Sequence, residues 1–128
     1  MRDCYNANPD TVERAIGLCD DAEWAGRRVY VLGGMLELGG ESAAAHRAVG
    51  EAAGRSKADA LFFFGDETIP ARDAALAAGF RGKLLQTGDF DALRDAVRDF
   101  VRPGDLVLLK GSRGKALERL GPLFGMEG

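Results

Sequence analysis

The chain has 128 residues, of which 46% are hydrophobic and 29% charged, which suits one domain with its own core. A net charge of −3 argues against the broad basic surface that binds nucleic acid or anionic membranes. Two cysteines and one histidine are too few for a typical zinc site. The sequence has no apolar run of about 20 residues and does not open on a charged-then-apolar leader, so we expect a cytoplasmic protein without a membrane span.

Four short apolar runs, each followed by a glycine within two residues, alternate with stretches of helical period. They are Val29–Leu32, Leu61–Phe64, Leu84–Thr87 and Leu106–Leu109. Continuous apolar runs of this length predict strands buried on both faces, and helices between them predict parallel crossovers. The sequence therefore predicts a single α/β domain, a Rossmann-like three-layer sandwich with a mainly parallel sheet.

Helix signals lie between these runs. Asn8 followed by Pro9 predicts an N-cap and a first helical position. The inward face of that helix is predicted to carry Val12, Ala15, Ile16 and Cys19. Further helices are predicted over residues 41–55, 67–78, 89–102 and 115–120, with Pro103-Gly104 ending the fourth. The residues predicted to face the core are Ala44, Ala45, Ala48, Val49 and Ala52 in the second helix, and Phe90, Leu93, Val97 and Phe100 in the fourth.

Neither of two common phosphate-binding motifs is present in the sequence. Around Gly114-Lys115 the pattern GxxxxGK[ST] fails, because Leu109 takes the place of the first glycine and Ala116 follows the lysine. The pattern GxGxxG fails because no two glycines are separated by a single residue. If the protein handles ATP, we expect another domain to hold the phosphates.

Two polar strings lie near opposite ends of the chain. Residues 3–9 read Asp-Cys-Tyr-Asn-Ala-Asn-Pro, and residues 109–113 read Leu-Lys-Gly-Ser-Arg. Each adjoins an extended run and leads into a predicted helix, and the carboxyl ends of parallel strands open into one crevice. The backbone N–H groups, hydroxyl and guanidinium of the second string suit a carboxylate or a phosphate. A solvated basic loop is the alternative interpretation.

Taken with a third string, these two resemble the C-terminal domain of the Mur ligases. The third string is residues 31–39, Val-Leu-Gly-Gly-Met-Leu-Glu-Leu-Gly, followed by Glu41-Ser42 and His46. The resemblance runs from residue 3 to about residue 120. The family usually has aspartate where this chain has Gly34, so no role is carried onto that position. The resemblance implies that residues 1–128 form one domain of a longer ligase, inactive alone, whose UDP-sugar and ATPase domains are absent from this chain.

The activity that the resemblance implies is ATP-dependent amide formation through an acyl phosphate. The strings are most similar to those of the member that joins D-Ala-D-Ala to UDP-N-acetylmuramoyl-tripeptide in peptidoglycan precursor synthesis. The implied partners are ATP, D-Ala-D-Ala and that nucleotide-linked tripeptide, with Mg as a cofactor and no nucleic acid or membrane. Two alternatives stay open: another Mur or folylpolyglutamate-type ligase, and a non-catalytic α/β module that binds a small anion or a partner protein.

The resemblance also implies which residues bind these ligands. Those implied at ATP are Asp3, Tyr5, Asn6 and Asn8, with Asp3 at the ribose. Those implied at the dipeptide or the transferred phosphoryl group are Lys110, Ser112, Arg113 and Glu37. Asn8 serves equally well as a helix cap, Tyr5 as a packing residue and Glu37 as a surface residue. For Asp3 the binding role is favoured over the alternative of a turn or helix-entry aspartate. His46 is expected to pack or cap rather than catalyse, and no metal site is expected.

Overall fold

The sheet is parallel throughout the part of the chain that the structure describes. The structure is a computed structural model, and it describes residues 2–3, 8–35, 39–111, 117, 119 and 120. Its strands have the order β1-β5-β2-β3-β4. Their bounds are β1 Arg2–Asp3, β2 Arg28–Gly33, β3 Ala60–Phe64, β4 Lys83–Thr87 and β5 Leu106–Lys110. The four predicted strands are confirmed, and a two-residue edge strand precedes them.

Helices cover both faces of this sheet. They are α1 Pro9–Asp21, α2 Ser42–Gly54, α3 Ile69–Ala77 and α4 Phe90–Phe100. Buried side chains of α1, α2 and α3 share one core cluster with the sheet, whereas α4 packs on the opposite face together with Leu117 and Leu120. The predicted three-layer sandwich is therefore confirmed. The predicted helix over 115–120 falls mostly outside the described residues.

The helix ends follow from local signals, with two differences. The predicted inward face of α1 is buried as expected. The third predicted helix begins instead as a 3₁₀ turn, Asp66–Thr68, before α3. The fourth ends at Phe100, three residues before Pro103, which lies in a turn. A 3₁₀ turn, Gly39–Glu41, also precedes α2. Among the described residues, no helix is long and apolar enough to cross a bilayer.

The predicted inward face of α2 is partly wrong. The residues buried on this helix are His46, Val49, Gly50 and Ala53, whereas Ala44 is exposed. The reason is that α2 packs against α3 as well as against the sheet. A Cβ on Gly50 would lie 2.6 Å from the Cα of Ala71, so a glycine rather than an alanine sets the approach of the two helices.

The prediction that the strands are buried on both faces is confirmed for β3 but is wrong for β4. All five residues of β3 are buried, but Lys83 is exposed and the rest of β4 is only half-buried. The strand order explains this difference, because β4 lies at the edge of the sheet and β3 lies inside it. On the opposite face the rings of Phe90 and Phe100 in α4 pack edge-to-face on Phe64 and Phe62, with centroids 6.1 Å apart in both pairs.

Polar contacts close the amino edge of the sheet. The indole N–H of Trp24 donates to the Gly104 carbonyl at 3.0 Å, so Trp24 is an edge anchor. The Arg27 guanidinium donates to the Asp105 carboxylate at 2.8 and 3.2 Å, and to the Phe100 carbonyl at 2.6 Å. These contacts join the start of β2 to the turn before β5. They leave the opposite, carboxyl edge as the place for a ligand.

The Arg27–Asp105 pair makes the free energy of unfolding depend on pH. Burial acts to raise the pKa of the Asp105 carboxyl, but hydrogen bonds from Arg27 and from the Arg102 N–H outweigh it and lower the pKa below its ordinary value. The unfolded carboxyl titrates near pH 3.9, so the stabilisation is complete above about pH 5. It is lost as the pH falls through the lower folded pKa.

We therefore expect Asp105→Asn to be less stable than the unchanged chain at pH 7, with the difference shrinking toward pH 2. Urea unfolding at a series of pH values measures this. Asp73→Asn is the control, because that carboxylate is 63% exposed in its pair with Arg72 and contributes little. A difference for Asp105→Asn that stays constant with pH would contradict the account.

Candidate ligand-binding site

The strand order creates a crevice at one edge of the sheet. The crossovers from β1 to β4 place α1, α2 and α3 on one face, and the chain then returns through α4 on the other face to insert β5 between β1 and β2. Beyond β5, Leu117 and Leu120 stay on the face of α4, whereas β1 and β2 lead into α1 and α2. Connections that leave adjacent strands toward opposite faces open a crevice at the carboxyl ends, which is where α/β proteins bind ligands.

The register places the first residue of one polar string beside the second residue of the other. Asp3 of β1 is the partner of Lys110 of β5, and Leu32 of β2 is the partner of Lys110 on its other side. Neighbouring strands lie about 4.8 Å apart, so these three backbone positions occupy one short stretch of the carboxyl edge. Residues from opposite ends of the sequence therefore lie next to each other in the fold.

Other predicted site residues lie outside the described part of the chain. They are Tyr5, Asn6, Glu37, Ser112 and Arg113. Each is close in sequence to a strand end that the structure does describe. Residues 4–7 follow β1 directly, residues 36–38 follow β2 after Gly34 and Met35, and residues 112–116 follow β5 after Gly111. Their roles in binding stay predictions, as does the contact of Asp3 with ATP.

Lys110 is buried at the centre of this edge. The residue is 4% exposed, at the last position of β5. A buried ammonium needs polar or anionic groups around it, because taking the charge out of water costs several kcal/mol. The solvated basic loop considered from the sequence does not fit this residue. Lys110 ends β5 at the carboxyl edge of the sheet, where the crevice opens.

Two glycines meet where β2 and β5 end at the crevice. Gly111 follows Lys110 with φ of 156°, and a Cβ on it would lie 2.6 Å from the Cα of Gly33. No L side chain fits at position 111 without moving the backbone of β2. Gly111 therefore leaves β5 in direct contact with the end of β2.

Asn8 has a structural duty. Its Oδ1 accepts a hydrogen bond from the Thr11 N–H at 3.0 Å, and its own N–H donates to Thr11 Oγ1 at 3.0 Å. These two bonds form a capping box at the start of α1, with Pro9 in the first turn. The cap interpretation is thus confirmed. A contact of Asn8 with ATP stays a prediction.

We expect Asn8→Ala to lower the free energy of unfolding by about 1 kcal/mol, because it removes the acceptor for an N-terminal N–H of α1. Asn8→Asp should keep the wild-type stability, since aspartate caps equally well and its charge favours the helix N-terminus. Urea unfolding at pH 7 measures both variants. Equal stability of Asn8→Ala and the unchanged chain would show that the cap is dispensable.

His46 ties the end of β2 to α2. Its Nε2 accepts a hydrogen bond from the Met35 N–H at 3.0 Å, so the proton lies on Nδ1, which donates to the Ser42 carbonyl at 2.7 Å. The side chain is 1% exposed. His46 therefore positions the segment that leads to Glu37, in agreement with the packing or capping role expected from the sequence.

A carboxylate that the sequence did not single out lies beside the crevice. A Cβ built on Gly34 would overlap the carboxylate of Glu67, so this side chain covers the end of β2. The unusual glycine at position 34 was visible in the sequence. The residue that fills its space was not, because Glu67 follows a different strand. No three His, Cys, Asp or Glu side chains in the described ranges are grouped to hold a metal ion.

Comparison with known proteins shows the family to which the chain belongs. The family described as "Mur ligase, glutamate ligase domain" matches residues 1–113. The chain belongs to the Mur ligase family. Among curated relatives, the UDP-N-acetylmuramoyl-tripeptide–D-alanyl-D-alanine ligase of Treponema pallidum is 42% identical over 127 residues, which cover 99% of this chain and 28% of that one. The Bacillus subtilis ligase of the same name is 32% identical over 120 residues, covering 94% and 26%.

Solved structures of Mur ligases have the same fold. The crystal structure of MurF ligase from Thermotoga maritima in complex with ADP aligns with a TM-score of 0.69 at 26% identity, over 94% of this chain and 26% of that one. A MurF structure from Acinetobacter baumannii, at 23% identity over 91% and 26% of the two chains, also gives a TM-score of 0.69 and shows the fold alone. This Mur ligase domain spans about a quarter of the length of the curated relatives it matches.

Proposed function

We propose that this Mur ligase domain is the C-terminal part of an ATP-dependent ligase that adds D-Ala-D-Ala to UDP-N-acetylmuramoyl-tripeptide. The observation that carries the proposal is the pairing of Asp3 with Lys110 at the carboxyl edge, in a chain 42% identical to a ligase of that name. ADP in the Thermotoga maritima relative supports a nucleotide as one ligand. The alternatives from the sequence, a Mur or folylpolyglutamate-type ligase for another amine or a non-catalytic module, are outcomes of the experiment below.

In the proposed reaction, an oxygen of the substrate carboxylate attacks the γ-phosphorus of ATP, ADP leaves, and an acyl phosphate forms. The amine of D-Ala-D-Ala attacks the acyl carbon, and phosphate leaves as the amide forms. ATP and Mg²⁺ are held mainly by a companion domain, because this chain has no phosphate-binding glycine motif. This domain closes over the reactants, and closure keeps water away from the hydrolysable acyl phosphate.

Within this reaction the residues of the crevice divide by charge. The Asp3 carboxylate, with Tyr5, Asn6 and Asn8, contacts the nucleotide, since a carboxylate is a good acceptor for the hydroxyls of a ribose. The residues assigned to the dipeptide and the transferred phosphoryl group are Lys110, Ser112, Arg113 and Glu37. The domain alone is inactive, and a reaction that uses ATP and a nucleotide-linked sugar peptide is cytoplasmic.

A chimera tests this proposal. Residues 1–128 replace the matching part of the Treponema pallidum ligase, and ATP-dependent phosphate release is measured with UDP-N-acetylmuramoyl-tripeptide and a panel of amines. We expect release with D-Ala-D-Ala and a matching amide product. The isolated 128-residue chain is the control and should release no phosphate.

The amine panel separates the alternatives. Ligation of L-glutamate or of a single amino acid in preference to D-Ala-D-Ala would show a different ligase of the superfamily. A correctly folded chimera that ligates none of the amines would favour the non-catalytic module. Asp3→Ala in the active chimera should remove ligation while the unfolding curve stays unchanged, and full activity of that variant would contradict the assignment of Asp3.

A further inference from the structure

The two ends of α4 carry matching contacts between an aromatic ring and a guanidinium group. At the last residue of the helix, the guanidinium carbon of Arg27 lies 4.2 Å from the centre of the Phe100 ring. At the first residue, the guanidinium carbon of Arg119 lies 3.9 Å from the centre of the Phe90 ring. Cation–π attraction therefore holds both guanidinium groups against the helix.

The two contacts differ in what accepts hydrogen bonds from the guanidinium. Arg27 donates to the Asp105 carboxylate at 2.8 and 3.2 Å and to the Phe100 carbonyl at 2.6 Å, so its contact is complete within this domain. Arg119 is exposed, and in the described part of the chain no carboxylate or carbonyl accepts a hydrogen bond from it. The contact at the start of α4 therefore lacks the acceptor that the contact at its end has.

The carboxylates at the start of α4 are engaged elsewhere. Asp89 accepts a hydrogen bond from the Asp91 N–H at 3.2 Å, as the cap of the helix. The carboxylate of Asp91 pairs with Arg94 at 3.3 Å. An acceptor for Arg119 is accordingly expected to come from outside this domain.

Arg119 lies at the rim of the crevice, on the α4 face. Phe64, the last residue of β3, packs edge-to-face on Phe90, so the ring that carries Arg119 is at the carboxyl edge of the sheet. The crevice itself is formed by the ends of β1, β5 and β2. An exposed side chain at this rim faces whatever covers the carboxyl edge, and in the proposed reaction that is a companion domain.

We infer that Arg119 binds a carboxylate of the companion domain when the ligase closes. The inference rests on the proposed function, which supplies that domain. Stacking on Phe90 leaves the N–H groups at the edge of the guanidinium plane open to a carboxylate, which accepts two parallel hydrogen bonds from such a fork. A single carboxylate suits this place better than a polyphosphate, because Asp89 and Asp91 adjoin Phe90 in the sequence and repel a multiply charged anion.

Arg119→Met in the chimera tests the inference. Methionine keeps an apolar contact with the Phe90 ring, so the unfolding temperature should stay unchanged. We expect kcat for ligation to fall about 2- to 5-fold, the range for an exposed ion pair. Phosphate release should also exceed amide formation, because an incompletely closed domain admits water to the acyl phosphate. In the unchanged chimera the two products should be equimolar at low salt and diverge as salt screens the pair.

Arg94→Met is the matched control on the same helix. The Arg94 guanidinium is already paired with Asp91 and Asp95, so its loss should leave kcat and the ratio of phosphate to amide unchanged. A second control replaces D-Ala-D-Ala by its C-terminal carboxamide, which keeps the amine and removes the substrate carboxylate. The loss caused by Arg119→Met should be the same with both amines.

Each result decides the inference. An Arg119→Met enzyme that matches Arg94→Met in a ligating chimera would overturn it and leave the proposed function intact. A loss that disappears with the carboxamide would also overturn it, because Arg119 would then bind the dipeptide. So would a loss of kcat with phosphate and amide still equimolar. If the unchanged chimera does not ligate D-Ala-D-Ala, the proposed function fails and the inference fails with it.

Discussion

Gly111→Ala should cost this domain about 3 kcal/mol of unfolding free energy and disturb the crevice as well. Position 111 has φ of 156°, and the new Cβ would lie 2.6–2.8 Å from three backbone atoms of Gly33. Backbone strain and overpacking each cost about 1–3 kcal/mol, and a strand backbone cannot yield as a flexible side chain can. Urea unfolding of the 128-residue chain at pH 7 measures the loss.

Gly17→Ala is the matched control for that substitution. Gly17 lies inside α1, and a Cβ there would meet nothing within 4 Å. In a helix interior, alanine is more favourable than glycine by about 0.5–1 kcal/mol, so this variant should be more stable than the unchanged chain. The same chemical change therefore has opposite signs at the two positions. Equal effects would show that β2 and β5 do not meet at Gly111 as described.

Lys110→Met should lower kcat/KM for ligation about 100-fold or more in the active chimera. Removing one member of a buried charged contact with a ligand costs about 2–5 kcal/mol, and each 1.4 kcal/mol is tenfold in rate. Methionine matches the length of the lysine stem, but removing one member of a buried charged contact also lowers stability, so the loss of activity is read against an unfolding curve. The assay is initial-rate phosphate release at varied D-Ala-D-Ala, with an unfolding curve of the same preparation.

Lys83→Met provides the comparison for Lys110. Lys83 is the first residue of β4 and is exposed at the amino edge of the sheet, away from the crevice. Its replacement should change kcat/KM less than twofold, since exposed single charges far from a site contribute little. A Lys110→Met enzyme as active as Lys83→Met would remove Lys110 from the binding machinery.

The elements that the sequence predicted well are those set by local signals. The start of α1 depends on Asn8, Pro9 and Thr11, which are neighbours in the chain, and its buried face follows from a 3.6-residue period. The apolar runs of β3 and β5 are equally local. The alternation of these runs with helices was enough to indicate a three-layer α/β sandwich.

The features that the sequence did not predict depend on which elements meet in space. The buried face of α2 turns to Gly50 because α3 packs there. The half-burial of β4 follows from its place at the sheet edge, and strand order is not written in a local pattern. At the site, Gly34 was visible as a departure from the family, whereas Glu67 is brought over it only by the pairing of β2 with β3.

Hydrogen exchange on the active chimera tests most directly the claim that the carboxyl ends of β1, β5 and β2 form one ligand site. Amides are compared with and without ADP and D-Ala-D-Ala. We expect slower exchange at residues 2–8, 33–37 and 110–113 together, with no change at the amino-edge segments 22–27 and 102–105. Protection confined to the amino edge, or absent from all three carboxyl-edge segments, would contradict the account.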